Sequence, residues 1–165
     1  MSPVRVVFVC SGNTCRSPLA MALARRWWPA GVDVRSAGLQ AQPGLPATEA
    51  ARTIAAERGA DLSAHSSRPL DGEVIAGADW LIAMTRSHVA QLNARLGPDA
   101  RVRIGLLGRP DVDLRGQAAP EVEEVDDPFG ASLDAYRATA DQIERLLRPW
   151  QASLLGRTDA RGEPA

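Results

Sequence analysis

The chain has 165 residues and a formal net charge of -1 at pH 7, and 45% of its residues are hydrophobic. This length and composition are typical of one folded domain and exclude an intrinsically disordered chain. The near-zero net charge argues against general electrostatic binding of nucleic acid or of an anionic membrane surface.

Short apolar runs alternate with segments of helical spacing along the chain. Residues 4–9, VRVVFV, are apolar and β-branched without alternation, which predicts a buried parallel strand. In chain order, the pattern predicts strands at 4–9, 32–36, 80–84 and 102–107, and helices at 19–28, 48–58, 71–76, 86–96 and 132–147. This order predicts an α/β fold: a small three-layer α/β/α domain with a central four-stranded parallel sheet.

The boundaries of the domain follow from the same pattern. We assign residues 1–150 to one domain and expect residues 151–165 to form a frayed C-terminal tail. No apolar run has the length of a signal peptide or a membrane span, so we expect a cytoplasmic protein without a membrane partner. The two Cys and two His lack the paired spacing of a zinc module, so we expect no metal and no other cofactor.

Two loops are predicted to meet at one edge of the sheet. Residues 10–17 follow the first strand, and the long acidic segment 108–130 follows the fourth strand. Parallel sheets bind ligands beyond the carboxyl ends of their strands, and a long loop in a small domain is usually functional. The sequence therefore predicts a functional site formed by these two loops.

The first loop, CSGNTCRSP, has the features of a phosphate-binding loop. The first N–H groups of a helix lack internal partners, and the helix dipole is positive at that end. Gly12 and Asn13 tolerate the positive φ that wraps a loop onto such a terminus. The Gly-Lys-Ser/Thr ending of a Walker loop is missing. The predicted phosphate cradle comprises Ser11, Gly12, Asn13, Thr14, Cys15 and Ser17.

The residues around this cradle predict a nucleophilic displacement at phosphorus. The thiolate of Cys10 is stabilised by N–H groups and by the guanidinium of Arg16, which can also bind the phosphate oxygens. Ser17 can donate its hydroxyl to the same thiolate. Asp127, followed by Pro, is a candidate general acid for the leaving group and then a base for water. Asp126 is its alternative, because successive residues of an extended loop face opposite ways.

These motifs together resemble the low-molecular-weight protein tyrosine phosphatases. The resemblance covers about residues 4–147 and rests on Cys-x5-Arg-Ser-Pro with an internal Gly-Asn and on a distant Asp-Pro-Phe. It implies hydrolysis of phosphomonoesters on proteins without a metal, with Cys10 as nucleophile, Arg16 binding phosphate and Asp127 as general acid. It also implies a hydrogen-bond network that shapes the loop, formed by Asn13, Ser17, Ser36 and His65.

The sequence departs from the tyrosine-specific pattern at the substrate pocket. Gly130 stands where those enzymes usually carry a second aromatic residue, and Thr14 stands where an aliphatic residue is common. The motifs also resemble the protein-arginine-phosphatase branch of the family, which has Thr at the position of Ser11. We predict a phosphotyrosine phosphatase, with phosphoarginine as the alternative substrate.

Four further residues have weaker assignments. Cys15 is either a small buried residue or a resolving thiol that forms a disulfide with oxidised Cys10. Phe129 and Leu39 are candidates for the pocket wall, and Leu39 could equally be an ordinary loop contact. His88, on the helix after the third strand, is interpreted as a surface residue.

Two other functions compete with a phosphatase. A thiol-coupled arsenate reductase would pass a disulfide outward through further Cys residues, and this chain has only two. An inactive phosphate-binding module is disfavoured because Cys10, Arg16 and Asp127 are all present. The expected partners are phosphorylated proteins, and the expected oligomeric state is a monomer or a weak homodimer.

Overall fold

The central element is a parallel sheet with the strand order β2-β1-β3-β4. The computed structural model describes residues 2–160, with side chains described up to residue 156. The strands are β1 (Val4–Cys10), β2 (Val32–Gly38), β3 (Trp80–Ala83) and β4 (Arg103–Leu106). All pair in parallel, as predicted, so their carboxyl ends lie at one edge. Cys10 and Gly38 are register partners at that edge.

Helices cover both faces of this sheet. They are α1 (Arg16–Trp27), α2 (Glu49–Glu57), α3 (Gly72–Ala76), α4 (Arg86–Arg95) and α5 (Leu133–Ala160). The buried residues of α1, α2 and α5 share one apolar cluster, and those of α3 and α4 share the other. The predicted three-layer α/β/α architecture is confirmed. The first helix begins at residue 16 rather than at the predicted residue 19, so Arg16 lies in its first turn.

The alternation of side chains along β1 separates the two cores. Val6 and Phe8 point into the cluster with α1 and α5, and Val7 and Val9 point into the cluster with α4. Because both faces are buried, the strand reads as one continuous apolar run. The absence of a polar face in residues 4–9 thus predicted the two helical layers.

The last helix corrects one prediction. Residues 151–160 are helical and not a frayed tail, and residues 161–165 lie outside the described residues. Pro149 removes one donor inside this helix. The burial of neighbouring side chains compensates for this lost hydrogen bond, because Trp150 and Leu154 are only 0% and 1% exposed. The Trp150 ring meets Trp80 edge-on, with 5.0 Å between centroids.

Among the described residues, none of the helices combines the length and the apolar character needed to cross a membrane.

Candidate active site

The carbonyl groups of the loop after β1 are bonded to flanking segments. The carbonyl of Cys10 accepts from the N–H of Leu39, that of Ser11 from Gln40, and that of Thr14 from Thr48, at 2.9–3.0 Å. In a trans peptide the C=O and the next N–H point in opposite directions. These bonds therefore turn the following N–H groups toward the interior of the loop, where they can bind an anion.

Asn13 fixes the shape of this loop. It is fully buried, and its φ of 56° lies in the left-handed region that Asn tolerates. Its Oδ1 accepts from the backbone N–H of Arg68 at 2.9 Å, which assigns the amide orientation. Its Nδ2 then donates to Ser17 Oγ at 2.8 Å and to Ser36 Oγ at 3.0 Å. The structure thus brings Asn13, Ser17 and Ser36 together, as the sequence predicted.

This amide orientation determines the hydrogen bond to the nucleophile. Ser17 Oγ lies 2.9 Å from Cys10 Sγ, and both side chains are buried. Because Ser17 accepts from Asn13, its own hydroxyl hydrogen is free to point at the sulfur. A hydroxyl donated to sulfur favours a thiolate over a thiol, and the thiolate is the nucleophilic form of a cysteine.

His65 supports the loop from outside. Its Nε2 lies 2.8 Å from the carbonyl oxygen of Asn13, and a carbonyl only accepts, so the proton is on Nε2. Burial lowers the pKa of His65, the bond to Asn13 opposes this, and Arg25 lowers it further. The neutral ring is therefore the resting form near neutral pH. Its place beside Asn13 matches the prediction of a support residue.

Gly38 allows β2 to approach this loop closely. A Cβ there would lie 2.7 Å from the Ser11 carbonyl oxygen and 2.7 Å from Ala41 Cβ. Any larger residue would force the strand and the loop apart.

Arg16 and Asp127 connect the two predicted loops. Arg16 is 7% exposed, and its Nη1 donates to the carbonyl of Val125 at 3.1 Å. Its Nη2 lies 3.7 Å from Asp127 Oδ2, and the Asp127 side chain is 52% exposed. The N–H of Phe129 donates to Asp127 Oδ1, which orients the carboxylate. Asp127 therefore lies beside the phosphate loop.

Backbone contacts anchor the segment that carries Asp127. The Val125 N–H donates to the Met84 carbonyl at the end of β3. A Cβ on Gly108 would overlap the carbonyl oxygen of Glu123, so the start of the segment packs backbone to backbone against a residue shortly before Asp127. Glu123 in turn forms two hydrogen bonds with Arg145 of α5.

Cys15 lies at the base of the loop in a polar pocket. Its Sγ is 3.2 Å from the hydroxyl of Tyr136 and 3.7 Å from Thr48 Oγ1. Both cysteines are buried and neither forms a disulfide. Burial and the bond to Cys15 raise the pKa of Tyr136 to about 12, so its hydroxyl stays protonated. Sequence reasoning missed Tyr136, which lies far along the chain in α5.

His88 is a second residue that sequence reasoning missed. The interpretation of His88 as a surface residue is wrong, because it is only 3% exposed. Its Nε2 lies 3.0 Å from Ser11 Oγ. The signal was available: His88 is in the first turn of α4, which begins at the same edge of the sheet as the phosphate loop.

The two candidates for the pocket wall have different environments. Phe129 is 69% exposed, whereas Leu39 is 4% exposed and packs in the apolar cluster with α4. The contact that Leu39 makes with the site is through its backbone N–H. Gly130 follows Phe129 with a φ of 74°, and a Cβ on Gly130 would have nothing within 4 Å, so there is open space beside this residue.

Together these groups can bind and cleave a phosphorylated side chain. The inward N–H groups and Arg16 can hold three phosphate oxygens, Cys10 lies at the base, and Asp127 lies at the rim. Gly12 and Thr14 contribute their backbone to the same loop, and both residues are at least partly exposed.

Comparisons with known proteins agree with this geometry. Residues 5–159 match the family described as low molecular weight phosphotyrosine protein phosphatase. A protein-arginine-phosphatase from Geobacillus stearothermophilus is 37% identical over 145 residues, covering 88% of this chain and 92% of the relative. A low molecular weight protein-tyrosine-phosphatase from Escherichia coli K12 is 34% identical over 149 residues, covering 90% and 93%. A solved arginine phosphatase from Geobacillus stearothermophilus superposes with a TM-score of 0.85 at 32% identity, covering 99% of this chain and all of the other.

Proposed function

The chain belongs to the low molecular weight phosphotyrosine protein phosphatase family, and from this premise we propose that it hydrolyses phosphorylated protein side chains through a phosphocysteine intermediate. The observation that carries the mechanism is the Ser17 hydroxyl 2.9 Å from Cys10 Sγ, oriented by Asn13. This contact supports the proposal, because a hydroxyl donated to sulfur would stabilise a thiolate at the base of an anion-binding loop.

In the first step, the Cys10 thiolate attacks phosphorus in line with the leaving atom. The S–P bond forms as the bond from phosphorus to the substrate breaks, and Asp127 gives its proton to the leaving atom. Arg16 and the loop N–H groups stabilise the negative charge on the equatorial oxygens. This protonation is needed because both phenolate and deprotonated guanidine are poor leaving groups.

In the second step, water attacks the phosphocysteine. Asp127, now a carboxylate, accepts a proton from the water, the S–P bond breaks, and inorganic phosphate leaves. Ser17 donates its hydroxyl to the departing thiolate of Cys10, which makes it a better leaving group. The loop and Arg16 supply the positive charge, so we propose that no metal or other cofactor takes part.

Phosphotyrosine is the first candidate substrate, on the description of the family. Phosphoarginine is the second, and two observations favour it. Gly130 has open space beside it and carries no side chain that could enclose a phenol ring, and Ser11 presents a polar side chain bonded to His88. The chemistry is the same, and only the atom that leaves phosphorus differs.

The decisive experiment uses two peptides of one sequence, one with phosphotyrosine and one with phosphoarginine. We expect hydrolysis of at least one peptide with a chelator present throughout, and none by Cys10→Ser. A preference in kcat/KM identifies the substrate. Activity that survives in Cys10→Ser would overturn the nucleophile assignment, and activity lost with chelator would overturn metal independence.

Cys15 is proposed as the redox partner of the nucleophile. Peroxide would oxidise the Cys10 thiolate to a sulfenic acid, and the Cys15 thiol would displace water from it to form a disulfide. We expect dithiothreitol to restore activity after peroxide treatment in the wild type but not in Cys15→Ser. Equal recovery in both would contradict this role.

A cytoplasmic location and a monomeric or weakly dimeric state complete the proposal. A thiolate nucleophile with a nearby second thiol requires a reducing compartment to stay active. Sedimentation at several concentrations measures the oligomeric state, and a stable higher oligomer would contradict it.

A further inference from the structure

We propose that His88 is a positioning residue that fixes the Ser11 hydroxyl in the wall facing the leaving group, and that this pair discriminates between phosphorylated side chains. The inference rests on the proposed phosphatase function. It concerns His88 and Ser11. Neither of them is the proposed nucleophile, the phosphate-binding Arg or the general acid.

The contacts of His88 hold it rigidly against the phosphate loop. Its Nε2 lies 3.0 Å from Ser11 Oγ, and its backbone N–H donates to the N-cap Thr85 at 3.2 Å. The residue is buried in the first turn of α4, so its ring has little freedom to move. Ser11 directly follows Cys10, and it is partly exposed. The hydroxyl of Ser11 is therefore hydrogen-bonded to the imidazole of His88 and also accessible from solvent.

Two charged residues of the proposed reaction influence His88. The two charged groups that act on its ring are Arg16 from α1 and Asp127 from the acidic segment. Burial and then Arg16 lower the pKa of His88 to about 4, while Asp127 opposes them. Asp127 protonates the leaving atom in the proposed mechanism, and its carboxylate lies 3.7 Å from Arg16 Nη2. Because Ser11 directly follows Cys10 and is bonded to His88, the proposal places the pair near that atom. His88 is neutral at pH 7 and carries a single ring proton.

The position of this proton follows from the partners of the two ring nitrogens. Within the described part of the chain, His88 Nδ1 is buried and has no hydrogen-bond partner. A buried N–H without an acceptor is rarer in proteins than an acceptor without a donor. The proton is therefore on Nε2, where it donates to Ser11 Oγ. This leaves Ser11 with its own hydrogen and one lone pair for the substrate.

A hydroxyl in this state suits one leaving group better than the other. The N–H groups of a phosphorylated guanidine can donate to the free lone pair of Ser11. A phenol ring has no N–H group to donate, and it would cover the hydroxyl without replacing water. A site built to bond a polar group rejects an analogue that leaves its polar atoms unpaired. The pair should therefore favour phosphoarginine over phosphotyrosine.

The test compares His88→Leu and His88→Gln with the wild type on the two matched peptides. We expect His88→Leu to lower kcat/KM for the phosphoarginine peptide about 10-fold and for the phosphotyrosine peptide less than about 2-fold. His88→Gln, which keeps an N–H donor, should recover part of the selectivity. Ser87→Ala, an exposed neighbour on the same helix, should leave both values unchanged.

A double mutant separates positioning from simple structural support. If His88 acts through Ser11, the combination of His88→Leu with Ser11→Ala should be no more selective for phosphotyrosine than Ser11→Ala alone. Ser11→Ala also serves as the test if His88→Leu does not fold. Equal losses on both peptides, or a wild type without phosphoarginine activity, would overturn the inference. Inactivity of the wild type on both peptides would instead overturn the proposed function.

Discussion

The two loops of the site are held in opposite ways. The phosphate loop, residues 10–17, is largely buried, and Asn13 at its centre has both side-chain polar atoms and its carbonyl bonded. The acidic segment, residues 108–130, is mostly exposed and is held at separate points such as Val125 and Glu123. The proposed nucleophile, Cys10, thus lies in a loop whose central residue has its hydrogen-bonding groups paired, and the proposed acid, Asp127, lies on an exposed segment.

This difference predicts that catalysis and stability separate between the two regions. A change in the phosphate loop should affect the rate and the free energy of unfolding together, because the same hydrogen bonds serve both. A change at Asp127 should affect the rate alone, because its side chain is half exposed and makes few contacts.

The largest expected effect is on the rate, at Asp127. Asp127→Asn should lower kcat on a phosphopeptide about 1000-fold, because general acids contribute roughly 100- to 10,000-fold. Its free energy of unfolding should stay within about 0.5 kcal/mol of wild type, because the side chain is half exposed. The matched control is Asp126→Asn, which should change kcat less than about 3-fold. A larger loss in the control would move the acid assignment to Asp126.

The second prediction concerns Asn13, where rate and stability should fall together. Asn13→Ala removes the side-chain partner of the Arg68 N–H and of the Ser36 hydroxyl, and it leaves Ser17 with Cys10 as its remaining partner. We expect the free energy of unfolding to fall by about 3 kcal/mol and kcat/KM by about 100-fold. Urea denaturation and peptide kinetics measure the two effects.

Asn93→Ala provides the control for this comparison. Asn93 makes a similar set of bonds, but to the backbone of the acidic segment at Leu114, Gly116 and Gln117. We expect it to lose stability with kcat changed less than about 3-fold. If Asn93→Ala slowed the enzyme as much as Asn13→Ala, the two loops would not differ as described.

The smallest expected effect is the pH dependence of the ion pair that anchors the acidic segment. Hydrogen bonds from Arg145 lower the pKa of Glu123 below its ordinary value of 4.5. A carboxyl with a lowered folded-state pKa stabilises the fold above its unfolded pKa, and this contribution is lost as pH falls through the folded pKa. Glu123→Gln should therefore lower the unfolding midpoint slightly at pH 7, and this effect should disappear in acid below the folded-state pKa of Glu123.

Glu121→Gln is the control for this pH effect. Glu121 is exposed and forms no ion pair within the described residues, so its substitution should leave the midpoint at pH 7 unchanged. A drop equal to that of Glu123→Gln would mean that the loss reflects net charge and not the pair with Arg145.

Much of this site could be predicted from the sequence because most of its residues are close together along the chain. The strand, the phosphate loop and the helix are contiguous in residues 4–27, and Asp127 was identified by its Pro and by the length of its segment. His88 and Tyr136 were missed because their roles depend on contacts with Ser11 and Cys15, which lie 77 and 121 residues away along the chain. No periodicity within their own helices marks such contacts.

The last helix was underestimated for a related reason. The predicted helix ended at residue 147, whereas α5 continues through Pro149 to Ala160 and buries Trp150 and Leu154 in the core. Tertiary burial decided the outcome there, as it commonly does against local propensity.

The close backbone contact between Gly108 and Glu123 makes residues 109–122 a closed loop whose two ends meet. The number of residues in the 109–122 loop can change without moving Val125 or Asp127. The ends of the loop are fixed by the contact of Gly108 with Glu123 and by the bonds of Glu123 to Arg145. Doubling the length of a flexible loop costs only about 0.6 kcal/mol in closure entropy. The exposed position after Gln117 is therefore a place to insert a reporter peptide while the catalytic groups stay in register.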